Sequence, residues 1–306
     1  MTLLLQVSDP HFGTEQPPVV EALLRLVRKQ APDLMVLSGD ITQRARRQQF
    51  RSAKGFVDRI AIPTVALPGN HDIPLFNFIA RIFYPYANHQ RVFGSNLEPE
   101  LESKDMLVIT VNTTRPARHK NGEVSLQQIE RVAARLRSAG LEQLRIVVTH
   151  QPVHVTRLRE EKNLLRGREP AIREWARAGA DLLLGGHIHL PYVRPLRECF
   201  KDLVRDVWVV QAGTAVSRRV RYEAPNSINL IRYSYTDQPR RCVVERWDYS
   251  AVAGEFGSVE KTAILLDRPQ SAEVRATNHA LPGNRGSRRY ACNLSSWDSF
   301  AMAIHV

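Results

Sequence analysis

The stretch Leu67-Pro68-Gly69-Asn70-His71-Asp72 sets the reading of the whole chain. Val65, Ala66 and Leu67 form a short apolar run that Pro68 and Gly69 cut off, the pattern of a buried strand ending in a tight turn. An amide, an imidazole and a carboxylate follow in consecutive positions, a combination for which packing alone has no use. Function collects on loops of this kind. One Gly-Asn-His-Asp tetrapeptide says little by itself, but four other strand-end loops carry ligand types of the same sort.

Upstream, Leu3 to Val7 is continuously apolar and ends at Ser8-Asp9-Pro10-His11, which reads as a first strand rather than a signal peptide. Pro17 and Pro18 open an amphipathic helix, and Leu34 to Leu37 is a second strand ending at Ser38-Gly39-Asp40. A helix over about Gln48 to Ile60 leads back to the strand before the opening loop. Strand, helix, strand, helix, strand with short loops implies parallel strands joined by right-handed crossovers, with the site at their carboxyl ends.

Downstream, residues 73–105 are irregular and rich in aromatics, among them Phe76, Phe78, Phe83, Tyr84, Tyr86 and Phe93. Such density reads as core before it reads as a pocket wall. Leu107 to Val111 is a strand, and Ser125 with Gln128 has the spacing of a capping box at the start of a helix. Two more strands end at Thr149-His150 and at Gly185-Gly186-His187-Ile188-His189. After Pro191 the helical period disappears. Strands at Val207–Ala212, Ser227–Tyr235 and Cys242–Tyr249 are expected to form a second, antiparallel or mixed sheet. The expected division is therefore a domain over 1–249 and an irregular or disordered tail over 250–306, in which only the alternation of Phe300, Met302, Ile304 and Val306 suggests an edge strand.

With 306 residues and 43% hydrophobic content, the chain suits one large α/β domain. Three scattered cysteines, none in a Cys-x-x-Cys pair, indicate neither a disulfide framework nor a thiolate metal site and fit a cytoplasmic setting. No apolar run approaches the roughly 18 to 20 residues of a membrane helix. The net charge of +12 is scattered and shows no basic block interleaved with aromatics, so it reads as arginine-rich solvated surface and nucleic acid is not the expected partner.

Collected by strand end, the candidate ligands are Asp9, His11, Asp40, Asn70, His71, Asp72, His150, His187 and His189. Five of the ten histidines lie in these loops, and sharing one sheet edge with carboxylates and an amide makes coincidence a poor explanation. In Asp9-x-His11 and His187-x-His189 an extended backbone would point both side chains of each pair the same way, toward one metal region. Glycines 39, 69, 185 and 186 permit tight turns and close approach to an anion. The set is too large for one ion, and without thiolate it suits two ions of Mn, Fe, Zn or Ni. Two ions about 3.5 to 4 Å apart serve in-line phosphoryl displacement.

In order along residues 1–248, Asp9-x-His11, Gly39-Asp40, Gly69-Asn70-His71-Asp72, His150 and Gly186-His187-x-His189 resemble the calcineurin-like metallophosphoesterase family, and within it the class III cyclic-nucleotide phosphodiesterases. The resemblance implies a four-layer α/β/β/α sandwich of two mixed sheets and a dinuclear centre acting on a small phosphoester. It assigns Asp9, His11, Asp40 and His189 to one metal and Asp40, Asn70, His150 and His187 to the other, with Asp40 bridging. It makes His71 a catalytic residue beside the leaving oxygen and gives Asp72 the task of orienting His71 or its loop. Pro10 departs from the usual pattern and stiffens its loop. A sugar-nucleotide pyrophosphatase of lipid A synthesis and a DNA-repair-type nuclease are alternative enzymes for the same ligands. A non-catalytic scaffold is the alternative of another class, although no ligand position is missing.

Overall fold

The computed structural model describes residues 1–221 and 224–267. The chain opens with β1 (Thr2–Val7), α1 (Pro17–Gln30), β2 (Leu34–Ser38), α2 (Arg47–Ile60) and β3 (Thr64–Leu67). Two short helices follow, α3 (Phe78–Phe83) and α4 (Ala87–Phe93), and then the edge strand β4 (Glu100–Glu102). The β-α-β pattern returns in β5 (Met106–Val111), α5 (Leu126–Arg137), β6 (Leu144–Thr149), α6 (Arg168–Ala178) and β7 (Leu182–Gly185). Strands β8 (Tyr192–Pro195), β9 (Trp208–Gln211), β10 (Ser227–Tyr233), β11 (Arg241–Ser250) and β12 (Glu255–Leu265) complete the described chain.

Two six-stranded sheets result, ordered β12-β11-β10-β1-β2-β3 and β4-β5-β6-β7-β9-β8. Both are mixed. In the first, the parallel β1, β2 and β3 are extended by antiparallel β10, β11 and β12. In the second, the parallel β5, β6, β7 and β9 are flanked by antiparallel β4 and β8.

The strands are apolar on both faces because both faces are covered. Side chains alternate along a strand, so Leu3, Leu5 and Val7 of β1 join Met35 and Leu37 of β2 in a core under α1 and α2, which contribute Leu23, Val27, Ala53 and Phe56. Leu4 and Val36 point the other way and meet Val108, Ile146, Val148 and Leu184 of the second sheet. The opposite face of that sheet, Leu107, Ile109, Val147 and Leu183, packs under α5 and α6, where Ile129, Val132 and the fully buried Trp175 lie. Helix, sheet, sheet and helix make four layers. Truncating a central residue such as Leu4, fully buried between the sheets, is expected to cost about 2 to 5 kcal/mol. The capping box is present: Gln128 N–H donates to Ser125 Oγ at 3.2 Å, and Ser125 N–H donates to Gln128 Oε1 at 3.0 Å.

Three expectations need correction. The strands after Pro191 do not make a sheet of their own: β9 runs parallel beside β7, whereas β10 and β11 extend the first sheet. The helical crossovers are used up by residue 191, and antiparallel strands complete both sheets without them. The irregular region does not begin at residue 250. Strand β12 pairs antiparallel with β11 from Ser250↔Glu255 to Arg241↔Leu265 and sends Phe256 and Ile264 into two cores, so the compact unit runs to Asp267. As an edge strand it is mostly exposed, which hides its apolar period. The suggested strand at Phe300–Val306 lies outside the described residues. Lastly, the aromatics near residue 80 are not core: Phe76, Phe78, Phe83 and Tyr84 are between 68% and 72% exposed.

Candidate active site

The parallel strands of both sheets end at one edge, so the loops after β1, β2, β3, β6 and β7 meet there. Asp9, His11 and His189 form one buried group, and Asp40, His150 and His187 form another; within each, the offered nitrogen and oxygen atoms lie within 4.8 Å of one another. Asn70 joins the second group, its Oδ1 3.3 Å from His150 Nε2. Asp40 stands between the groups, with Oδ1 3.2 Å from His150 Nε2 and Oδ2 3.8 Å from His11 Nε2. His187 and His189 do not share a region, as extended backbone would require. Both residues have positive φ, 71° and 56°, so the chain turns between them and delivers one imidazole to each group.

That backbone geometry belongs to the site as a whole. Asp9, His11, Asp40, His187 and His189 are five of the eight non-glycine residues with positive φ among the described residues. Such conformations cost about 1 to 3 kcal/mol each and persist only where surrounding contacts fix them. Here the contacts are evident. Asp9 N–H donates to Gly39 O at 3.1 Å, His11 N–H donates to Asp40 O at 3.1 Å, and His187 N–H donates to Asp9 Oδ2 at 2.9 Å. Two glycines make room for the ligands. A Cβ on Gly69 would collide with the backbone nitrogen and carboxylate of Asp40, and one on Gly186 with Ser8 Oγ and Asp9 Oδ2.

Backbone carbonyls fix the tautomers. Since a carbonyl only accepts, His150 Nδ1–H donates to Ser38 O at 2.9 Å and His189 Nδ1–H donates to Arg219 O at 2.6 Å, which leaves each Nε2 lone pair facing the groups. His189 Nε2 lies 3.2 Å from Asp9 Oδ1 and 3.1 Å from His11 Nε2. The Nδ1 atoms of His11 and His187 are buried without a hydrogen-bond partner. Converging lone pairs, two orphaned ring nitrogens and two carboxylates fit cations. Charge points the same way. Burial pushes the Asp40 carboxyl upward, but the neighbouring His150 and His71 outweigh it and hold it well below its ordinary value. For Asp9 burial is likewise outweighed, by the charge and hydrogen bond of His189. Burial drives His187 down to about 3 and His11 well below its ordinary value, keeping both neutral and able to ligate. Against its own burial, Asp40 raises His150 to about 9, drawing onto Nε2 a proton that a bound cation would displace.

His71 is placed differently. It is one-quarter exposed, with Nδ1–H donating to Gln43 O at 2.9 Å and Nε2 4.0 Å from Asp40 Oδ2. Nε2 looks into a pocket of about 330 Å³ whose wall includes Gln43, Arg44, Leu75, His119 and Arg219. Asp72 does not touch the His71 ring. Its buried carboxylate accepts from Ile41 N, Thr42 N, Thr42 Oγ1 and Gly69 N at 2.7 to 3.0 Å, so it braces the Asp40 and Asn70 loops against each other. Burial, with Asp40 nearby, raises it to about 7 against those hydrogen bonds. Arg219 was not among the residues singled out from the sequence. Its Nη1–H donates to Gln43 Oε1 at 3.0 Å and lies 3.3 Å from His71 Nε2, with no carboxylate paired to it among the described residues. It sits in an arginine-rich stretch, Arg218 to Arg221, and nothing in a run of arginines marks which one turns inward.

Residues 2–191 match the calcineurin-like phosphoesterase family. A probable cyclic nucleotide phosphodiesterase of Synechococcus is 29% identical over 84 residues, 24% of this chain and 33% of the relative, so the match spans about a third of that protein. Among solved structures, a dimetal phosphatase from Danio rerio is similar with a TM-score of 0.61 and 14% identity, over 87% of this chain and 99% of the other. A purple acid phosphatase from yellow lupin seeds gives 0.66 and 12%, over 93% and 57%. At such identities these structures speak for the fold alone, and the family match supplies the membership: the chain belongs to the calcineurin-like phosphoesterases.

Proposed function

We propose that the protein hydrolyses a phosphodiester of a small nucleotide, a cyclic mononucleotide being the first candidate, at a centre of two transition-metal ions drawn from Mn, Fe, Zn and Ni. Asp9, His11, Asp40 and His189 would hold one ion and Asp40, Asn70, His150 and His187 the other. The observation that carries this reading is the pair of buried ligand groups, with Asp40 of one reaching toward His11 of the other, beside a pocket of about 330 Å³, the lower end of the range that encloses small ligands. The name of the Synechococcus relative supports the cyclic-nucleotide choice.

Two cations supply Lewis-acid polarisation of the phosphoryl group and a water activated near neutral pH. The chain's own residues do the rest. Arg219, held by Gln43 Oε1, presents a guanidinium to the phosphoryl oxygens in exchange for its contact with His71 Nε2. His71 faces the leaving oxygen; with its Nδ1 proton tied to Gln43 O, it delivers a proton from Nε2 only as the imidazolium. Asp72 acts through the loops it braces and positions Asp40, Asn70 and His71. Hydrolysis of a panel of cyclic mononucleotides, dinucleotides, UDP-sugars and single-stranded DNA by Mn²⁺-loaded protein tests the reading. Fastest turnover is expected on cyclic mononucleotides, and a preference for UDP-sugars or DNA would replace it with one of the alternatives.

A further inference from the structure

The segment directly after the His71 loop exposes an apolar face that the chemistry does not use. Phe78, Ile79, Ile82 and Phe83 stand at positions i, i+1, i+4 and i+5 of α3, one stripe of that helix, and each is between 68% and 72% exposed; Phe76 and Tyr84 extend the stripe at either end. Soluble surfaces rarely carry a contiguous patch of this kind without a partner. Its setting is basic. From Ile41 to Val57 and from Ile73 to Leu97 the chain has no acidic residue, while Arg44, Arg46, Arg47, Arg51, Lys54 and Arg91 are exposed. The two segments adjoin: Arg44 lies 5.1 Å over the Phe76 ring, Asn88 Nδ2–H donates to Ala45 O at 2.9 Å, and Arg47, Arg51 and Arg91 line one cleft.

From these features we infer that this face docks on an anionic phospholipid bilayer, α3 entering the headgroup boundary and the arginines of α2 and α4 resting on the lipid phosphates. An aromatic and aliphatic stripe bordered by cations is the composition that binds such an interface, and each basic residue adds attraction to anionic lipid. A second copy is the poorer occupant, because a twofold contact would set an acid-free surface against itself. Nucleic acid is poorer too, since Ile79 and Ile82 have no use in stacking on bases. Leu75 lies in the wall of the pocket beside His71, one residue before the stripe begins, so docking brings the pocket mouth to the lipid surface. The inference is independent of which phosphoester is cleaved.

Flotation of the full-length, metal-loaded protein tests it, with vesicles of phosphatidylcholine alone and of phosphatidylcholine doped with phosphatidylglycerol. Binding to the anionic vesicles only, weakened by salt, is expected. Ile79→Ser with Ile82→Ser should lower vesicle affinity at least tenfold. Arg46→Glu with Arg47→Glu and Arg51→Glu should lower it by about 100-fold. Both sets alter exposed positions outside the site, so melting temperature and the rate on a soluble chromogenic phosphodiester should stay as in the parent, which separates lost docking from lost fold. A parent protein that stays off anionic vesicles at low salt would overturn the inference. So would serine variants that float like the parent, a dimer in light scattering that the same serines dissolve, or binding of single-stranded oligonucleotide through this face.

Discussion

Residues 69–72 and residues 73–97 are consecutive in the chain and are built by opposite rules. In the first, Asn70 and Asp72 are buried, Asp72 accepts four hydrogen bonds, and the His71 backbone N–H donates to Asp40 Oδ1 at 2.8 Å. In the second, only the inner side is fixed: His89 packs against Phe50 and Phe93, with ring centroids 6.1 and 5.1 Å away, while Phe76 to Tyr84 faces outward. Polar groups inside and apolar groups outside invert the usual distribution. Each inversion marks a place where something other than folding has set the residue type, cations in one case and an external surface in the other.

The largest effect should come from the shared carboxylate. Asp40→Asn removes the charge that stands between the two ligand groups and is expected to lower the rate by on the order of 10³ or more and to lose metal as well, whichever ester is used; elemental analysis beside kinetics checks both. His71→Ala should keep the metals and lower kcat by about 10² to 10⁴ on an ester with a poor leaving group. With p-nitrophenolate the loss should shrink, because that anion departs without a proton. Equal losses on both esters would make His71 a structural residue. Arg219→Gln is expected to cost about 10² in kcat/KM and to weaken inhibition by inorganic phosphate, again with metals retained. Unchanged phosphate inhibition would remove Arg219 from the substrate.

Stability separates the regions further. A chain ending at Asp267 should fold and turn over as the full chain does, since every candidate ligand lies before residue 190. One ending at Tyr249 loses Phe256, Ile264 and Leu266 from the cores, about 5 to 9 kcal/mol of burial and comparable to the whole stability of a domain. It should be insoluble; recovery of a folded protein would show that β12 is dispensable. The smallest effect concerns the inner side of the 73–97 segment. Burial lowers His89 from 6.5 to about 4. The unfolded chain therefore binds this proton first as pH falls, and stability present above pH 6.5 is lost between about 6.5 and 4, by roughly 3 kcal/mol. His89→Leu should flatten melting temperature against pH over that window, and an unaltered slope would show that His89 is not the group responsible.

The same contrast explains what could be read without coordinates. Continuous apolar strands such as Leu3–Val7 declare that both faces are covered, and a ligand-type residue directly after such a run has few other uses, so the edge of the sheets and its side chains were legible. The division of His187 and His189 between two groups came from the family resemblance and not from their spacing, because it depends on positive φ at residues whose side chains do not announce it. Arg219 was hidden among other arginines, and β12 by its exposure at an edge. The α3 aromatics misled for a related reason: apolar residues look alike whether they face a core or a surface, and only the packed structure tells which.

The dinuclear centre is tested most directly by counting ions. Protein loaded with Mn²⁺, desalted and assayed on a phosphodiester in the same preparation should hold two ions per chain, with activity rising in step with occupancy of the second and vanishing on chelation. Full activity at one ion per chain or fewer would contradict the assignment of Asp40 as the residue shared between two metals.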